Sequence, residues 1–419
     1  MAKEASSWSI LAFVTSLAAG NMLACSAKTV DLGGNNQLPS GLTYSTGVPT
    51  APTNAVSGGD STVSRIVAGE PTVSGMYATT LSPYAVDSGR LYWLSSFQTG
   101  STQQYSLRSC AVDHCADSLM THGTTQFTQS LGVTDPVETP MQVDGSDIYW
   151  RTLQESVFPS QIATSSKTPN SGISAVDFPW AVTADFVVKS GTIYACMQDV
   201  VVRCRASNCK PTSERFAMTP PAGESPLAFS HMLGQDDGFL YLTGGNTITI
   251  DWTLLRVPKD PNASYEILSP ISPTSLGGFA LYGDNMYWTE YEGAGRVLSC
   301  PKTGCMGAPK ILMTGLNGPT SLAVDDDTIY VIEPPQVSML MAISGSPTEV
   351  VLPGRVLKCP ITGCAEPAVL YAGSDERLMT QLVVDDRFVY FYGSNCHIDF
   401  SSGSVDPWAP CAFIAAIPK

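Results

Sequence analysis

Cysteine is the residue type whose spacing in this 419-residue chain points most directly to chemistry. Eight of the twelve cysteines form four pairs with one common separation: Cys110/Cys115, Cys204/Cys209, Cys300/Cys305 and Cys359/Cys364. Such pairs are typical of disulfides in an exported protein, and we prefer this interpretation to zinc because each pair falls in a different segment. The second cysteine follows His114, Asn208, Gly304 or Gly363. These residue types tolerate a positive φ, so we expect a left-handed residue to close each hairpin.

The other cysteines are predicted to have separate roles. Cys396 and Cys411 bracket an insertion near the end of the chain, and we expect them to pair at its base. Cys25 lies at the end of an apolar N-terminal segment. Cys196 is then left over in a strand, where a buried, unreactive thiol is expected rather than a nucleophile. We predict no metal and no cofactor.

Few residues are available for acid–base chemistry. The four histidines share no local motif: His114, His122, His231 and His397. The sequence contains no Gly-x-Ser-x-Gly, His-Glu-x-x-His or phosphate-loop pattern. Glu290 and Glu333 each lie three residues after a tyrosine of the repeat that organises the chain. They are predicted either to point carboxylates towards a central opening or to form a solvated acidic rim.

The first 25 residues are predicted to be an export signal. Lys3 lies in a short polar start, residues 10–19 form an apolar core too short to span a bilayer, and Met22-Leu-Ala-Cys25 follows. This ending resembles the lipobox of bacterial lipoproteins, which implies lipidation of Cys25; Ser26 after it implies the outer membrane or cell surface. The alternative is a secretory peptide that is cut elsewhere. Residues 26–61 carry little charge and few large apolar groups, so we expect a flexible tether.

Composition favours strands and excludes some partners. Hydrophobic residues make up 43% of the chain and charged residues only 14%, which suits strands and turns better than amphipathic helices. The net charge of −15 argues against nucleic acid or an anionic membrane surface, because both are approached through clustered Lys and Arg. The lipid anchor is then the expected membrane contact, and we expect a monomer.

A long-period repeat organises the rest of the chain. Seven short apolar strands end in Asp or another turn residue, and each leads to a tyrosine: Tyr92, Tyr149, Tyr194, Tyr241, Tyr287, Tyr330 and Tyr390. These tyrosines are 57, 45, 47, 46, 43 and 60 residues apart. This period, with about four strand-like runs per unit, predicts an all-β, seven-bladed β-propeller over residues 62–419.

The two ends of the repeat region are complementary. The last unit stops at Lys419 after its third strand, whereas residues 62–68 are similar to the fourth strands of other units. We therefore predict that this N-terminal strand completes the last blade, which closes the ring and removes both sheet edges.

One motif resembles a known family. Tyr287-Trp-Thr-Glu290 resembles the Tyr-Trp-Thr-Asp motif of extracellular YWTD-type propellers, and Tyr92-Trp93 and Tyr149-Trp150 are similar to it. The general plan is also similar to that of NHL-type repeats. The resemblance covers residues 62–419 and implies the fold rather than a function.

The long connections of such a propeller share one face, while the opposite turns are tight or disulfide-closed. Binding sites belong on loops held by a rigid scaffold, and the candidates are Trp180, His231, Glu290, Tyr291, Glu333 and Trp408. We expect a binding or scaffold module for a protein or a cell-envelope polymer. The alternative is a lyase or hydrolase that uses His231 with Glu290 or Glu333. This alternative is similar to seven-bladed lyases of macrocyclic antibiotics, which use His and Glu near the channel.

Overall fold

The structure is a computed structural model. It describes residues 64–68, 83–99, 102–128, 141–152, 161–178, 185–197, 200–217, 220–221, 227–246, 251–271, 276–291, 294–305, 307–341, 347–373, 378–394, 398–399, 404–405 and 412–419. These residues form seven four-stranded antiparallel sheets, each of which is one blade of a β-propeller. Neighbouring blades touch through their first strands, which therefore line the centre of the ring. The predicted fold class is confirmed.

The strands are numbered along the chain, and those of each blade are named from the centre outward. Blade 1 contains β2 (Tyr84–Asp87), β3 (Arg90–Thr99), β4 (Thr102–Ala111) and β5 (Met120–Thr128). Blade 2 contains β6 (Gln142–Asp144), β7 (Asp147–Thr152), β8 (Gln161–Ser166) and β9 (Ser174–Ala175). Blade 3 contains β10 (Phe186–Lys189), β11 (Thr192–Met197), β12 (Val200–Arg205) and β13 (Glu214–Ala217).

The remaining blades follow the same plan. Blade 4 contains β14 (Ala228–Gln235), β15 (Phe239–Asn246), β16 (Asp251–Pro258) and β17 (Glu266–Ile271). Blade 5 contains β18 (Leu276–Tyr282), β19 (Asn285–Glu290), β20 (Gly295–Pro301) and β21 (Lys310–Leu316). Blade 6 contains β22 (Ser321–Asp325), β23 (Thr328–Glu333), β26 (Arg355–Pro360) and β27 (Ala368–Ala372). Blade 7 contains β28 (Leu378–Val384), β29 (Phe388–Ser394), β32 (Ala412–Pro418) and β1 (Ser64–Ala68).

Two blades carry an additional hairpin between their second and third strands. In blade 6, β24 (Gln336–Met341) pairs with β25 (Pro347–Leu352). In blade 7, β30 (Ile398–Asp399) pairs with β31 (Ser404–Val405). Both hairpins therefore project from the same face of the ring.

Alternation along the second strand of each blade explains how the blades stack. Tyr92 and Leu94 face blade 2, where they pack in one buried cluster with Ile148 and Trp150. The repeated tyrosine and the residue two positions after it thus face the following blade, while the two neighbours of the tyrosine face the preceding blade. Apolar residues follow this division at all seven interfaces of the described ring. Because both faces are covered, the second strands are apolar along most of their length.

The ring closes by the predicted route. β1 pairs antiparallel with β32 and becomes the outermost strand of blade 7. Tyr390 of blade 7 packs with Leu91 and Trp93 of blade 1, which completes the seventh interface. The prediction that the N-terminal strand closes the last blade is confirmed.

The four predicted short-range disulfides are present in the described part of the chain. They are Cys110–Cys115, Cys204–Cys209, Cys300–Cys305 and Cys359–Cys364. In the last two, the residue before the second cysteine has the predicted left-handed backbone, with φ of 105° at Gly304 and 100° at Gly363. The proposed hairpin geometry therefore holds for blades 5 and 6.

The disulfides of Cys115 and Cys209 differ from the prediction in their local structure. No left-handed residue precedes either cysteine, because φ is −151° at His114 and −158° at Asn208. Cys115 and Cys209 each begin a short α-helix instead of flanking a hairpin loop, so the predicted geometry is wrong for both. The helices are α1 (Cys115–Ser118) and α2 (Cys209–Thr212), and each follows a 3-10 turn, Val112–His114 or Ala206–Asn208.

Helical winding brings the cysteines of these two blades together by another route. A 3-10 turn followed by a helical turn folds the chain back within five residues. The Cα atoms of Cys110 and Cys115 are 4.8 Å apart, as are those of Cys204 and Cys209. This separation lies within the range that a disulfide requires. The cysteine spacing thus predicted the pairing correctly, while two different backbone conformations achieve it.

The hairpins between third and fourth strands also bind the preceding blade. In blade 6 the backbone N–H of Cys364 donates to the carbonyl of Leu312 at 3.0 Å, and in blade 5 that of Cys305 donates to Leu268 at 3.3 Å. Leu312 and Leu268 lie on the outer strands of blades 5 and 4. Each of these two disulfides therefore closes a hairpin that is hydrogen-bonded to its neighbour, in addition to cross-linking its own blade.

Other blades make an equivalent contact with different residues. Blade 2 has no cysteine in this hairpin, yet the N–H of Gly172 donates to the carbonyl of His122 in blade 1 at 2.8 Å. In blade 1 the connecting residue Asp113 accepts two hydrogen bonds from Arg387 of blade 7. The backward contact is thus described in four blades, and in blades 5 and 6 a disulfide closes the hairpin that makes it.

The repeated Asp before the tyrosine has a local role in two blades. Asp385 accepts hydrogen bonds from two backbone N–H groups of its turn and, through its second oxygen, from the hydroxyl of Tyr390 at 2.6 Å. Asp236 binds its own turn and Tyr241 in the same way. The five-residue spacing between Asp and Tyr therefore closes the turn between the first two strands.

Deleting residues 60–70 should open the ring, because β32 would lose its outer partner and expose an unpaired edge. We expect a broader thermal transition by circular dichroism and a melting temperature lower by more than about 5 °C. Deletion of residues 26–36, in the predicted tether, is the matched control and should change neither quantity. A 60–70 deletion variant that melts as sharply and at the same temperature as the full chain would refute this closure.

Candidate ligand-binding face

The connections from second to third strands and from blade to blade lie on one face, which we call the loop face. The hairpins β24–β25 and β30–β31 belong to it. Several residues with predicted roles lie outside the described part of the chain: Cys25, Trp180, Cys396, His397, Trp408 and Cys411. The described candidates are His231, Glu290, Tyr291 and Glu333.

Glu290 and Glu333 end the second strands of blades 5 and 6, but neither forms a solvated rim. Their exposed fractions are only 8% and 2%. Glu290 accepts a hydrogen bond from Nε of Arg296, and Glu333 accepts one from Nε of Arg355, both at 2.7 Å. Each arginine lies directly opposite its glutamate on the third strand. The expected acidic rim is therefore wrong, because both carboxylates are buried and neutralised within their own blade.

Glu333 also holds part of the loop face in place. Oε1 of Glu333 accepts the backbone N–H of Asn317 at 2.8 Å, in the connection that enters blade 6. The side-chain oxygen of Asn317 in turn accepts from Nε2 of Gln336 at 2.6 Å, at the base of the β24–β25 hairpin. Tyr291 follows Glu290 directly and is half-buried. Glu333 thus joins two connections to the strands beneath them.

His231 pairs with a different acid from those predicted. Its Nδ1 lies 3.2 Å from Oδ2 of Asp185, and Nη1 of Arg151 lies 3.5 Å from Oδ1 of the same carboxylate. The His231 side chain is 61% exposed, whereas those of Arg151 and Asp185 are 20% and 24% exposed. Within the described residues, no contact joins His231 to Glu290 or Glu333. We refer to this group as the Arg151–Asp185–His231 cluster.

The cluster lies at one height in the ring. His231 on β14 is opposite Thr243, two residues after the repeated tyrosine of blade 4. The backbone carbonyl of Asp185, just before β10, accepts the N–H of Cys196, at the same position in blade 3. Arg151 occupies this position in blade 2. Three consecutive blades therefore bring these side chains together at the loop-face end of the first strands.

Sequence reasoning overlooks Arg151, although the repeat contains a signal for it. The other blades have buried, uncharged residues at this position: Leu94, Cys196, Thr243, Thr289, Ile332 and Tyr392. A guanidinium breaks this pattern, and its Nε is buried without a hydrogen-bond partner among the described residues. A buried unsatisfied polar atom of this kind requires an explanation. Asp185 has no comparable signal, because it precedes its strand.

Two other histidines have no part in this cluster. His114 is an exposed residue of the 3-10 turn in blade 1, whereas His122 is fully buried on the outer strand of that blade. Nδ1 of His122 lies 3.3 Å from the carbonyl oxygen of Thr168 and must donate to it, so Nε2 accepts from the hydroxyl of Ser109 at 2.8 Å. That hydroxyl also accepts from Nη1 of Arg90. Burial lowers the pKa of His122, so the fold holds the neutral imidazole.

Cys196 is a free, buried thiol, as predicted. Burial raises its pKa well above the ordinary value, and the negative charge of Asp185 acts in the same direction. A thiol that stays protonated is a poor nucleophile and a poor metal ligand. Across the described ranges, no three His, Cys, Asp or Glu residues are grouped to hold a metal ion. None of the helices described is long and apolar enough to cross a membrane.

No protein-family model and no curated protein matches this chain. Solved structures resemble it at low identity. The computationally designed Ika8 protein is 11% identical with a TM-score of 0.44, covering 84% of this chain and 98% of that one. The polysaccharide lyase Uly1 is 10% identical with a TM-score of 0.46, covering 82% and 90%. A putative 6-phosphogluconolactonase from Bacteroides uniformis is 12% identical with a TM-score of 0.41, covering 71% and 86%.

These likenesses carry no conclusion about function. The propeller fold rests on the strand pairing of this chain itself. The similarity to YWTD and NHL propellers remains a resemblance of motif and plan, since no family model supports it.

His122 predicts a pH-dependent stability. Its pKa is lower in the folded chain than in the unfolded chain, so the unfolded state binds more protons as the pH falls below about 6.5. The free energy of unfolding should therefore decrease in that range, by about 1.4 kcal/mol for each unit of pKa difference. His122→Leu should flatten this dependence in urea titrations, because it removes the titrating group. The fold should accept leucine there, since Leu268, Leu312 and Leu370 lie at the same register shift of the outer strand in their blades. Replacement of the exposed His114 by Gln should leave the pH dependence as it is. If the free energy of unfolding of His122→Leu depends on pH as steeply as that of the unaltered chain, His122 is not the group responsible.

Proposed function

We propose that this chain is an exported, lipid-anchored β-propeller that binds a protein or a cell-envelope polymer through its loop face. The observation that carries the proposal is the difference between the two faces of the ring. Turns and hairpins of the opposite face bind their own or neighbouring blades, as Asp385, Cys305 and Cys364 do. The loop face bears the two additional hairpins and the partly exposed Arg151–Asp185–His231 cluster.

Buried ion pairs beneath the loop face also support a binding role. Buried carboxylates at the ends of two second strands hold an arginine each, and Glu333 also fixes the connection at Asn317. A surface that is already ordered loses less conformational entropy when a ligand binds. The ion pairs thus favour a scaffold that presents connections to a partner.

A pull-down from cell-envelope extracts tests this function with the full chain. We expect a retained component that is lost when residues 337–351 are replaced by a two-glycine link, because this removes the β24–β25 hairpin. Glu366→Ala, an exposed change on the opposite face, is the matched control and should retain the component. If the hairpin variant and the control retain the same material as the unaltered chain, the loop face is not the binding surface.

A lyase or hydrolase is the second candidate, and one observation favours it. The carboxylate of Asp185 lies at Nδ1 of the exposed His231 imidazole, and Arg151 adjoins the same carboxylate. The other ring nitrogen of His231, Nε2, is therefore left to exchange a proton with a substrate. In an enzyme, His231→Asn would abolish turnover of an envelope polysaccharide while the melting temperature stays unchanged. In a binding module, the same change leaves most of the retention in the pull-down.

Lipidation of Cys25 places the protein at the outer membrane or cell surface in this proposal. Cys25→Ala should move the protein from the detergent phase to the aqueous phase in a Triton X-114 partition, because a covalent acyl chain supplies most of the membrane affinity. Cys196→Ala removes a buried thiol and should leave the partition unchanged. Continued partition of the Cys25→Ala protein into detergent would refute the anchor.

A further inference from the structure

The Arg151–Asp185–His231 cluster contains a guanidinium that its own fold satisfies poorly. The Nη1 atom of Arg151 lies 3.5 Å from Asp185, beyond the usual range of a hydrogen bond, and its Nε has no partner among the described residues. Arg296 and Arg355 differ, because Nε of each donates to a glutamate at 2.7 Å. A buried polar group without a partner destabilises the fold. Arg151 therefore does not serve stability in the way that these two arginines do.

Among the described residues, those at the same height in four other blades are uncharged. They are Pro83, just before the first strand of blade 1, and Gly278, Ser321 and Thr380 on the first strands of blades 5, 6 and 7. Arg151 thus supplies a single positive charge at this height. Its guanidinium lies near Asp185 and is partly exposed to solvent. The chain as a whole carries a charge of −15, which repels a polyanion over long distances. A compact anionic group that makes short contacts fits these conditions better.

From these observations we infer that the cluster binds the carboxylate of an otherwise uncharged, hydroxyl-rich saccharide. The inference rests on the proposed function and names the ligand of the loop face. A carboxylate matches the planar guanidinium of Arg151 through paired N–H donors. It would compete with Asp185, whose carboxylate already lies against the guanidinium of Arg151 and the imidazole of His231.

A saccharide fits this lining better than a peptide. Peptides are generally held by apolar pockets or by addition to a free strand edge. At this height the described residues are the exposed imidazole of His231, its partners Arg151 and Asp185, and the small residues Gly278, Ser321 and Thr380, with no large apolar side chain among them. Such a lining suits hydroxyl groups, so the carboxylate belongs on a sugar ring of the uronic-acid type.

Calorimetric titration of the full chain with a disaccharide ending in glucuronate tests the inference. Its methyl ester, which lacks the charge, should bind at least about tenfold more weakly, the loss expected for a charge-assisted hydrogen bond. Arg151→Leu should cause a similar loss; Leu94 occupies the same repeat position in blade 1, so this variant preserves the packing. Arg205→Leu removes an exposed arginine from the opposite face and is the matched control, with unchanged affinity expected.

Asp185→Asn distinguishes a ligand site from a structural ion pair. Removing the competing carboxylate should tighten disaccharide binding about threefold or more, opposite in sign to the effect of Arg151→Leu. If Arg151 and Asp185 form only a structural ion pair, both variants should have lower melting temperatures. Their affinities for the disaccharide should then not change in opposite directions. If Arg151→Leu does not fold, Arg151→Lys retains the charge without the planar fork and should still weaken binding.

Any of four results would overturn the inference, and the first three concern relative affinities. The ester would bind as well as the acid, Arg151→Leu would lose no more affinity than Arg205→Leu, or a short peptide with a free C-terminal carboxylate would bind more tightly than the disaccharide. Failure of the disaccharide to bind, while the pull-down still retains a component through the β24–β25 hairpin, would reject this ligand and leave the proposed function intact.

Discussion

The structure depends on one packing constraint, which is that the second strand of every blade is covered on both faces. Each repeated tyrosine faces the following blade, as Tyr92 of blade 1 does. The residues on either side of a repeated tyrosine face the preceding blade, as Trp150 of blade 2 does. A blade alone would expose two apolar faces, so no blade buries its strands without both neighbours. This requirement explains why the ring must close, and why the N-terminal strand pairs with β32 to complete blade 7.

Departures from the repeat become informative because the constraint is so regular. Where several outer strands have leucine, blade 1 has His122, and the imidazole is accommodated by Ser109 and the carbonyl of Thr168. Where the other second strands have an uncharged buried residue, blade 2 has Arg151, and its Nε is left unsatisfied. The polar atoms of His122 are satisfied within the fold, so its role is structural. The Nε of Arg151 is not satisfied, and residues that break a regular pattern without such compensation are expected at functional sites.

The fold was predictable from the sequence because its evidence is local and repeated. Tyrosine spacing and paired cysteines recur in blade after blade, so that an error in one unit, such as the hairpin expected at Cys115, does not change the conclusion. The environment of Glu290 was harder to predict, since it depends on the register that places Arg296 opposite it. The contact between Asp185 and His231 joins two blades, and only the closed ring defines it. Predicted roles for Trp180 and Trp408 concern residues outside the described part of the chain.

The hairpins between third and fourth strands donate hydrogen bonds to the preceding blade, so contacts between blades follow the order of the chain. Gly172, Cys305 and Cys364 each bind the blade that was synthesised before their own. A newly made hairpin therefore finds its acceptor on a segment that has already left the ribosome. Blades can dock one after another in the order of translation, and oxidation at Cys305 and Cys364 can then close hairpins that already bind the preceding blade. Only the joint between the first and seventh blades must wait for the last strand, which makes it the final step of assembly.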